Sequence, residues 1–270
     1  MPKNGHIPLI IAHRGSSALA PENTMAAFHK AIEDRADGLE FDVRLAKDGV
    51  PVVFHDATLR RIARKNISVI SLRAEELQKL DVGSWFNIKN PRKANLKFSA
   101  ETIPTLAYLL DVLGDYKGLI YIELKCKADE LTTLVRAVIK VVQSSKLFPN
   151  IIIKSFKLEA IALTNKLLPE VRTAALFAPK ILTILRKQTQ LIEKARECKA
   201  DEISLHFSLA TQKIVEKARE FGMPTIIWTA DHPVWVKRSC DIGIRAIITN
   251  NPARLLVKRD EIFGKHPAFI

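Results

Sequence analysis

The chain is poor in the residues that build disulfide, zinc and membrane-spanning architectures. It has three cysteines in 270 residues, Cys126, Cys198 and Cys240. They are odd in number, scattered and without metal-ligand spacing. That excludes a disulfide framework and a thiolate metal site, and it points to thiols in a reducing compartment. No apolar run approaches the roughly 20 residues of a membrane helix. The first residues, Met1-Pro2-Lys3-Asn4-Gly5, lead into a strand pattern without the apolar stretch and cleavage site of a secretory signal, so a cytoplasmic protein is expected. No Gly-x-Gly-x-x-Gly follows the first strand pattern, which argues against a dinucleotide fold. Acidic residues are the minority charge, 29 against 42 Lys and Arg, for a net charge of +13.

What is present is a globular composition, 47% hydrophobic and 26% charged, in a chain long enough for one large core. Basic residues recur at Arg60-Arg61, Arg64-Lys65, Arg92-Lys93 and near the C-terminus. A solvated, lysine-rich surface accounts for them. The functional reading is attraction of anionic substrates or anionic lipid, with membrane contact peripheral. Nucleic acid is not expected as a partner, because the charges are spread out and no recognition motif accompanies them. Nothing in the sequence indicates the oligomeric state.

Strand-like and helix-like runs alternate almost throughout. Strand patterns fall at residues 9–13, 38–43, 119–125, 151–156, 172–177, 202–206, 225–229 and 245–249. Helical patterns fall at 24–35, 106–113, 129–146, 158–168, 183–199, 211–221 and 234–241. Such alternation implies parallel strands with crossover helices. Eight strands favour a closed α/β architecture, the (β/α)8 TIM barrel, filling residues 1–270 as one domain. The arm 50–55 is set aside as a hairpin excursion from the second strand. Residues 57–102 break the alternation and read as a small cap inserted after that hairpin. The stretch leaves from beside His55, over the face that holds catalytic groups in such barrels.

The most informative residues are Glu40-Phe41-Asp42 and His55. Glu40 and Asp42 are two apart on a strand and share a face. Lys47-Asp48-Gly49 is a hairpin signal, and folding about Asp48 and Gly49 sets residue 42 opposite residue 55. Two carboxylates beside an imidazole suggest a divalent cation next to a proton-transfer group. His13-Arg14-Gly15 ends the first strand, where Arg14 offers a planar fork for phosphate oxygens. Asn23 or Thr24 caps the helix that follows. Glu123 and Lys125 share a face at another strand end, as a third oxygen ligand and a second phosphate cation. Trp228 ends the seventh strand as a pocket wall or a core aromatic. Lys154 and His206 also lie near strand ends and read as peripheral. His6, His29, His232 and His266 have no identifiable partners.

The ordered set His13-Arg14-Gly15, Pro21-Glu22-Asn23-Thr24, Glu40-Phe41-Asp42, His55-Asp56, Glu123-Leu124-Lys125 and Trp228-Thr229 resembles the glycerophosphodiester phosphodiesterase family. The match spans nearly the whole chain, and residues 71–86 resemble the family's small insertion. The resemblance implies a (β/α)8 barrel that hydrolyses small-molecule glycerophosphodiesters to glycerol 3-phosphate and an alcohol, with Mg2+ or Ca2+ as cofactor. It implies Glu40, Asp42 and Glu123 as metal ligands and His13 and His55 as the acid/base pair, with His13 as base and His55 as acid. It also implies Arg14 and Lys125 as phosphate contacts and Trp228 in the substrate pocket. Two departures stand out. Ala230-Asp231 replaces a hydrophobic residue and Asn after Trp228-Thr229, and Asn250 replaces an Asp after Thr249. They bear on substrate preference. A lysophospholipase D acting at a membrane surface is the alternative, with Trp85-Phe86 and the basic stretch against lipid. A non-catalytic binding protein is disfavoured, because no charged or histidine position of the set is missing.

Overall fold

The computed structural model describes residues 7–179 and 189–264. Nine strands are formed among them: β1 Leu9–His13, β2 Gly38–Leu45, β3 Pro51–Val53, β4 Leu119–Leu124, β5 Ile151–Ser155, β6 Arg172–Phe177, β7 Glu202–His206, β8 Thr225–Trp228 and β9 Ala246–Thr249. Eight are parallel and run in the order β1-β9-β8-β7-β6-β5-β4-β2, and β1 pairs back onto β2. The sheet therefore closes into the expected (β/α)8 barrel. Pairing β3 lies antiparallel on β2 as the excursion.

Side-chain alternation divides each strand between the barrel interior and the outer shell. Ile11, Tyr121, Ile152, Ala174, Ile226, Ala246 and Ile248 form one buried interior cluster. Two residues further along, the same faces carry His13, Glu123, Lys154, Trp228 and Asn250 at the C-terminal mouth. Gly38 begins the inward face of β2, and a Cβ there would meet Ile11 Cδ1 at 2.6 Å, so glycine leaves room for that layer. The outward residues, Leu39, Phe41 and Ile122 among them, pack under the helices, with Phe28 of the helix Met25–Glu33 set edge-on against Phe41. At the opposite end, Glu202 accepts from Tyr121 Oη at 3.0 Å and from Arg245 Nη1 at 2.6 Å, a satisfied polar plug in the floor.

Two features differ from the sequence reading. The pairing of β2 with β3 is Val43 with Val53 and Leu45 with Pro51, so Asp42 stands opposite Phe54 rather than His55. The loop has three residues, Lys47 to Gly49, with Gly49 at φ 78°, where a two-residue turn was expected. His55 therefore falls one step beyond the ladder. The second difference is a C-terminal helix, Pro252–Phe263, beyond the last helical pattern of the sequence. Its buried stripe includes Arg259, paired with Asp37, and a buried arginine disguises the apolar period. Part of the 183–199 pattern, together with His6 and His266, lies outside the described residues; Thr189–Glu197 is helical.

Residues 57–102 form short helices at Arg60–Ala63, Ala74–Leu77 and Ser84–Lys89 with 3-10 turns between. Leu59, Ile62, Val69, Leu77 and Val82 give the stretch its own buried cluster, continuous with Phe54 and Ile103. It touches the loop after β1, where Lys93 Nζ donates to the Ala18 carbonyl at 2.7 Å.

Candidate active site

The mouth of the barrel gathers ionisable groups from six segments. β1 ends at His13, and the chain turns through Arg14 and Gly15 with φ 55° and 76°. A Cβ on Gly15 would lie 2.5 Å from the backbone of Ala27, so only glycine lets the turn pack on the helix Met25–Glu33. Thr24 caps that helix. Asn23 instead donates from Nδ2 to Asp42 Oδ2 at 3.0 Å.

Glu40, Asp42 and Glu123 are all buried, and a ligand oxygen from each lies within 4.8 Å of the others. The parallel register sets Asp42 beside Glu123. Three cations face them. Arg14 Nε lies 3.1 Å from Asp42 Oδ2, and Lys125 Nζ is 3.3 Å from Asp42 Oδ1 and also contacts Glu123. Lys154 Nζ is 2.6 Å from Glu40 Oε1 and 3.7 Å from Glu123 Oε2.

Burial pushes all three carboxyls upward, and the cations decide how far each falls. At Glu40, Lys154 and His13 outweigh burial and hold the group below its ordinary value. At Asp42, Arg14 and Lys125 do the same. At Glu123 burial prevails over Lys154 and Lys125, and the group sits above its ordinary value. Glu40 Oε1, Asp42 Oδ1 and Glu123 Oε1 are buried without a well-formed hydrogen bond, and lysine ammonium groups are their contacts. Hard, anionic oxygens converging with capacity to spare fit a divalent cation of the alkaline-earth kind.

The two histidines stand on either side of this cluster. His13 Nε2 is 3.8 Å from Glu40 Oε2, and its Nδ1 is 2.7 Å from Asn250 Oδ1. Asn250 donates its backbone N–H and its Nδ2 to the two oxygens of Asp231, each at 2.7 Å. With the amide nitrogen committed to a carboxylate, the amide oxygen faces His13, and Nδ1 carries the proton. Burial lowers the His13 pKa, with Arg14 adding to the effect and Glu40 opposing it. His55 follows β3, and its Nδ1 lies 2.6 Å from Asp56 Oδ1. The His55 carbonyl accepts from Arg44 Nε at 2.7 Å.

Trp228 forms an aromatic wall at the same mouth, with Phe156 at 5.3 Å and His206 at 5.4 Å, both edge to face. Lys125 Nζ sits 5.5 Å over the Phe156 ring, joining that wall to the ionic cluster. The peripheral reading of Lys154 is wrong, since it is 1% exposed and central. Its signal was available: it follows three isoleucines in β5 at the inward position of Ile152, and an unpaired lysine cannot stay there. His206 also belongs to the mouth, as part of the wall.

A barrel that gathers three carboxylates, two histidines and three cations at one mouth is built to act on an anionic ester. Comparison with known proteins narrows this. Residues 13–254 match the glycerophosphoryl diester phosphodiesterase family. The chain is 32% identical over 252 residues to a glycerophosphodiester phosphodiesterase of Caldanaerobacter subterraneus subsp. tengcongensis, covering 92% of this chain and 96% of that one. It is 29% identical to a glycerophosphodiester phosphodiesterase of Bacillus subtilis, covering 90% and 84%. A phosphodiesterase of Oleispira antarctica, solved with the product sn-glycerol-3-phosphate, superposes with a TM-score of 0.81 at 26% identity, covering 94% and 97%. The chain belongs to the glycerophosphoryl diester phosphodiesterase family, and it is a phosphoric diester hydrolase.

Proposed function

We propose that this protein hydrolyses water-soluble glycerophosphodiesters to glycerol 3-phosphate and an alcohol, with Mg2+ or Ca2+ held by Glu40, Asp42 and Glu123. The buried carboxylate trio, with one under-used oxygen on each member, carries the reading. When bound, the cation supplies Lewis-acid neutralisation of the phosphodiester. The other roles fall to the chain. Arg14 and Lys125 bind the phosphate oxygens, and Trp228 with Phe156 lines the organic part of the substrate. His13, neutral and with Nε2 free of the proton, removes a proton from the attacking oxygen. His55, backed by the Asp56 carboxylate, gives a proton to the leaving alkoxide as the P–O bond breaks.

The glycerol 2-hydroxyl and water are the two candidate attackers. Attack by the hydroxyl forms a cyclic phosphate. Water then opens it, with the two histidines exchanging roles and regaining their starting protons. Residues 57–102 serve as a cap over the mouth within a single domain. Work in the cytoplasm agrees with three free thiols, and no helix among the described residues is long and apolar enough to cross a membrane.

The test is release of glycerol 3-phosphate from glycerophosphocholine and glycerophosphoethanolamine, with Mg2+, with Ca2+ and with chelator, and with lysophosphatidylcholine as comparator. Metal-dependent release from the water-soluble esters is expected. Full activity after exhaustive chelation would refute the metal assignment, and preference for the lysolipid would refute the substrate class.

A further inference from the structure

The basic run at Arg60-Arg61 reads as surface charge in the sequence, yet one member of it is tied to both ends of the site. The Arg61 guanidinium uses two edges at once. Its Nε and Nη2 donate to Asp56 at 2.7 and 3.1 Å, and its Nη1 and Nη2 donate to Glu22 at 2.8 and 2.7 Å. Its face lies 5.7 Å from the Trp85 ring. Each carboxylate passes the constraint inward. Asp56 holds His55 Nδ1 at 2.6 Å, and Glu22 accepts from Arg14 Nη1 at 2.7 Å. One side chain from residues 57–102 thus links the loop after β1 to the loop after β3.

We propose that Arg61 is a positioning residue for the reaction, setting His55 through Asp56 and Arg14 through Glu22. The inference rests on the proposed role of His55 as general acid. Planarity matters, because two bidentate contacts at a fixed angle need the arginine fork, and a lysine ammonium has no such geometry. Arg61 is 42% exposed, so its ion pairs add little to stability. What it contributes is alignment, and a misplacement on the order of 1 Å costs about 100-fold in rate.

The Arg61→Ala and Arg61→Lys variants of the metal-loaded enzyme test this, with two substrates. One is glycerophosphocholine; the other is p-nitrophenyl glycerophosphate, whose weakly basic leaving group needs little protonation. For glycerophosphocholine, both variants should lose about 100-fold in the first-turnover rate of alcohol release, which precedes any opening of a cyclic phosphate by water, while the half-saturating substrate concentration changes less. For the nitrophenyl ester the loss should shrink to about tenfold, the part transmitted through Glu22 and Arg14. Added guanidinium at sub-denaturing concentration should restore turnover to Arg61→Ala. Melting temperatures should fall by less than about 4 °C, which separates misalignment from misfolding. His55→Ala is the control. If its loss depends on the leaving group and that of Arg61→Ala does not, the role of Arg61 is overturned alone. If neither depends on it, the acid assignment of His55 fails and takes this inference with it. An Arg61→Ala enzyme within twofold of wild type, or full rescue by Arg61→Lys, also overturns it.

Discussion

The two histidines face the same cluster but are supported in opposite ways. His13 is 15% exposed and its Nδ1 meets a neutral amide, with the carboxylate of Asp231 one step further back. His55 is 31% exposed and its Nδ1 meets a carboxylate directly. A carboxylate stabilises an imidazolium more than an amide oxygen does. The proposed roles follow that contrast, with the base on the buried side and the acid on the open side. The same contrast runs through the supporting cations: Lys154, buried, pairs with Glu40 beside His13, and Arg61, its side chain 42% exposed, stands on the His55 side.

The largest effects should come from the rings themselves. His13→Ala should lower kcat by about 10²–10⁴-fold with either leaving group, since the attacking oxygen still needs a base. His55→Ala, read as alcohol release in the first turnover, should show such a loss only with the alkoxide leaving group. Equal leaving-group sensitivity in the two variants would erase the distinction between them. Next comes the buried cation. Lys154→Met leaves Glu40 and Glu123 without their shared partner and should cost about 3–5 kcal/mol of stability in the metal-free protein. Urea unfolding in chelator measures it, and a loss as small as that of Arg61→Ala would show that burial does not separate the two sides.

The smallest effect concerns Glu22. Burial raises its carboxyl, but Arg61 and Arg14 outweigh burial and hold it below its ordinary 4.5. Its folded pKa is thus depressed, so the stability it gives is present in full above that value and is lost as pH falls through the folded pKa. The stability gap between wild type and Glu22→Gln should accordingly be open at neutral pH and close in acid. Urea unfolding across that range reads it, and a gap independent of pH would mean that the Glu22 charge does not matter to the latch.

Much of this was legible in the chain. β1, β6 and β7 begin and end where the apolar pattern predicts, because each strand is bounded by turn residues and has a buried outer face. That Glu40 and Asp42 converge was legible because residues two apart on a strand must share a face, and strand register brings Glu123 beside them. His55 was placed one register step off, since a hairpin with one extra loop residue shifts every pair beyond it. Lys154 was misjudged because a strand pattern does not tell which inward position faces carboxylates from neighbouring strands. Arg61 looks like any surface arginine in sequence, and its meaning comes from Glu22, 39 residues away. Asp231 and Asn250 were noticed only as departures from the family pattern; that they form a hydrogen-bonded pair behind His13 is a fact of how β8 and β9 lie together.

Barrel closure also sets a timetable for biosynthesis. The support of His55 is local, complete once Arg61 has been made, but the hydrogen bond from His13 to Asn250 joins residues 237 apart. Translation must pass Asn250 before the proposed proton acceptor His13 is held in register, and β1 waits unpaired on one side until β9 arrives. A chain truncated ahead of β9 carries every proposed metal ligand, both histidines and both phosphate cations, yet has neither a closed sheet nor a fixed His13. Nascent chains that stop short of β9 should therefore be silent as hydrolases, and competence should be acquired once β9 has been made.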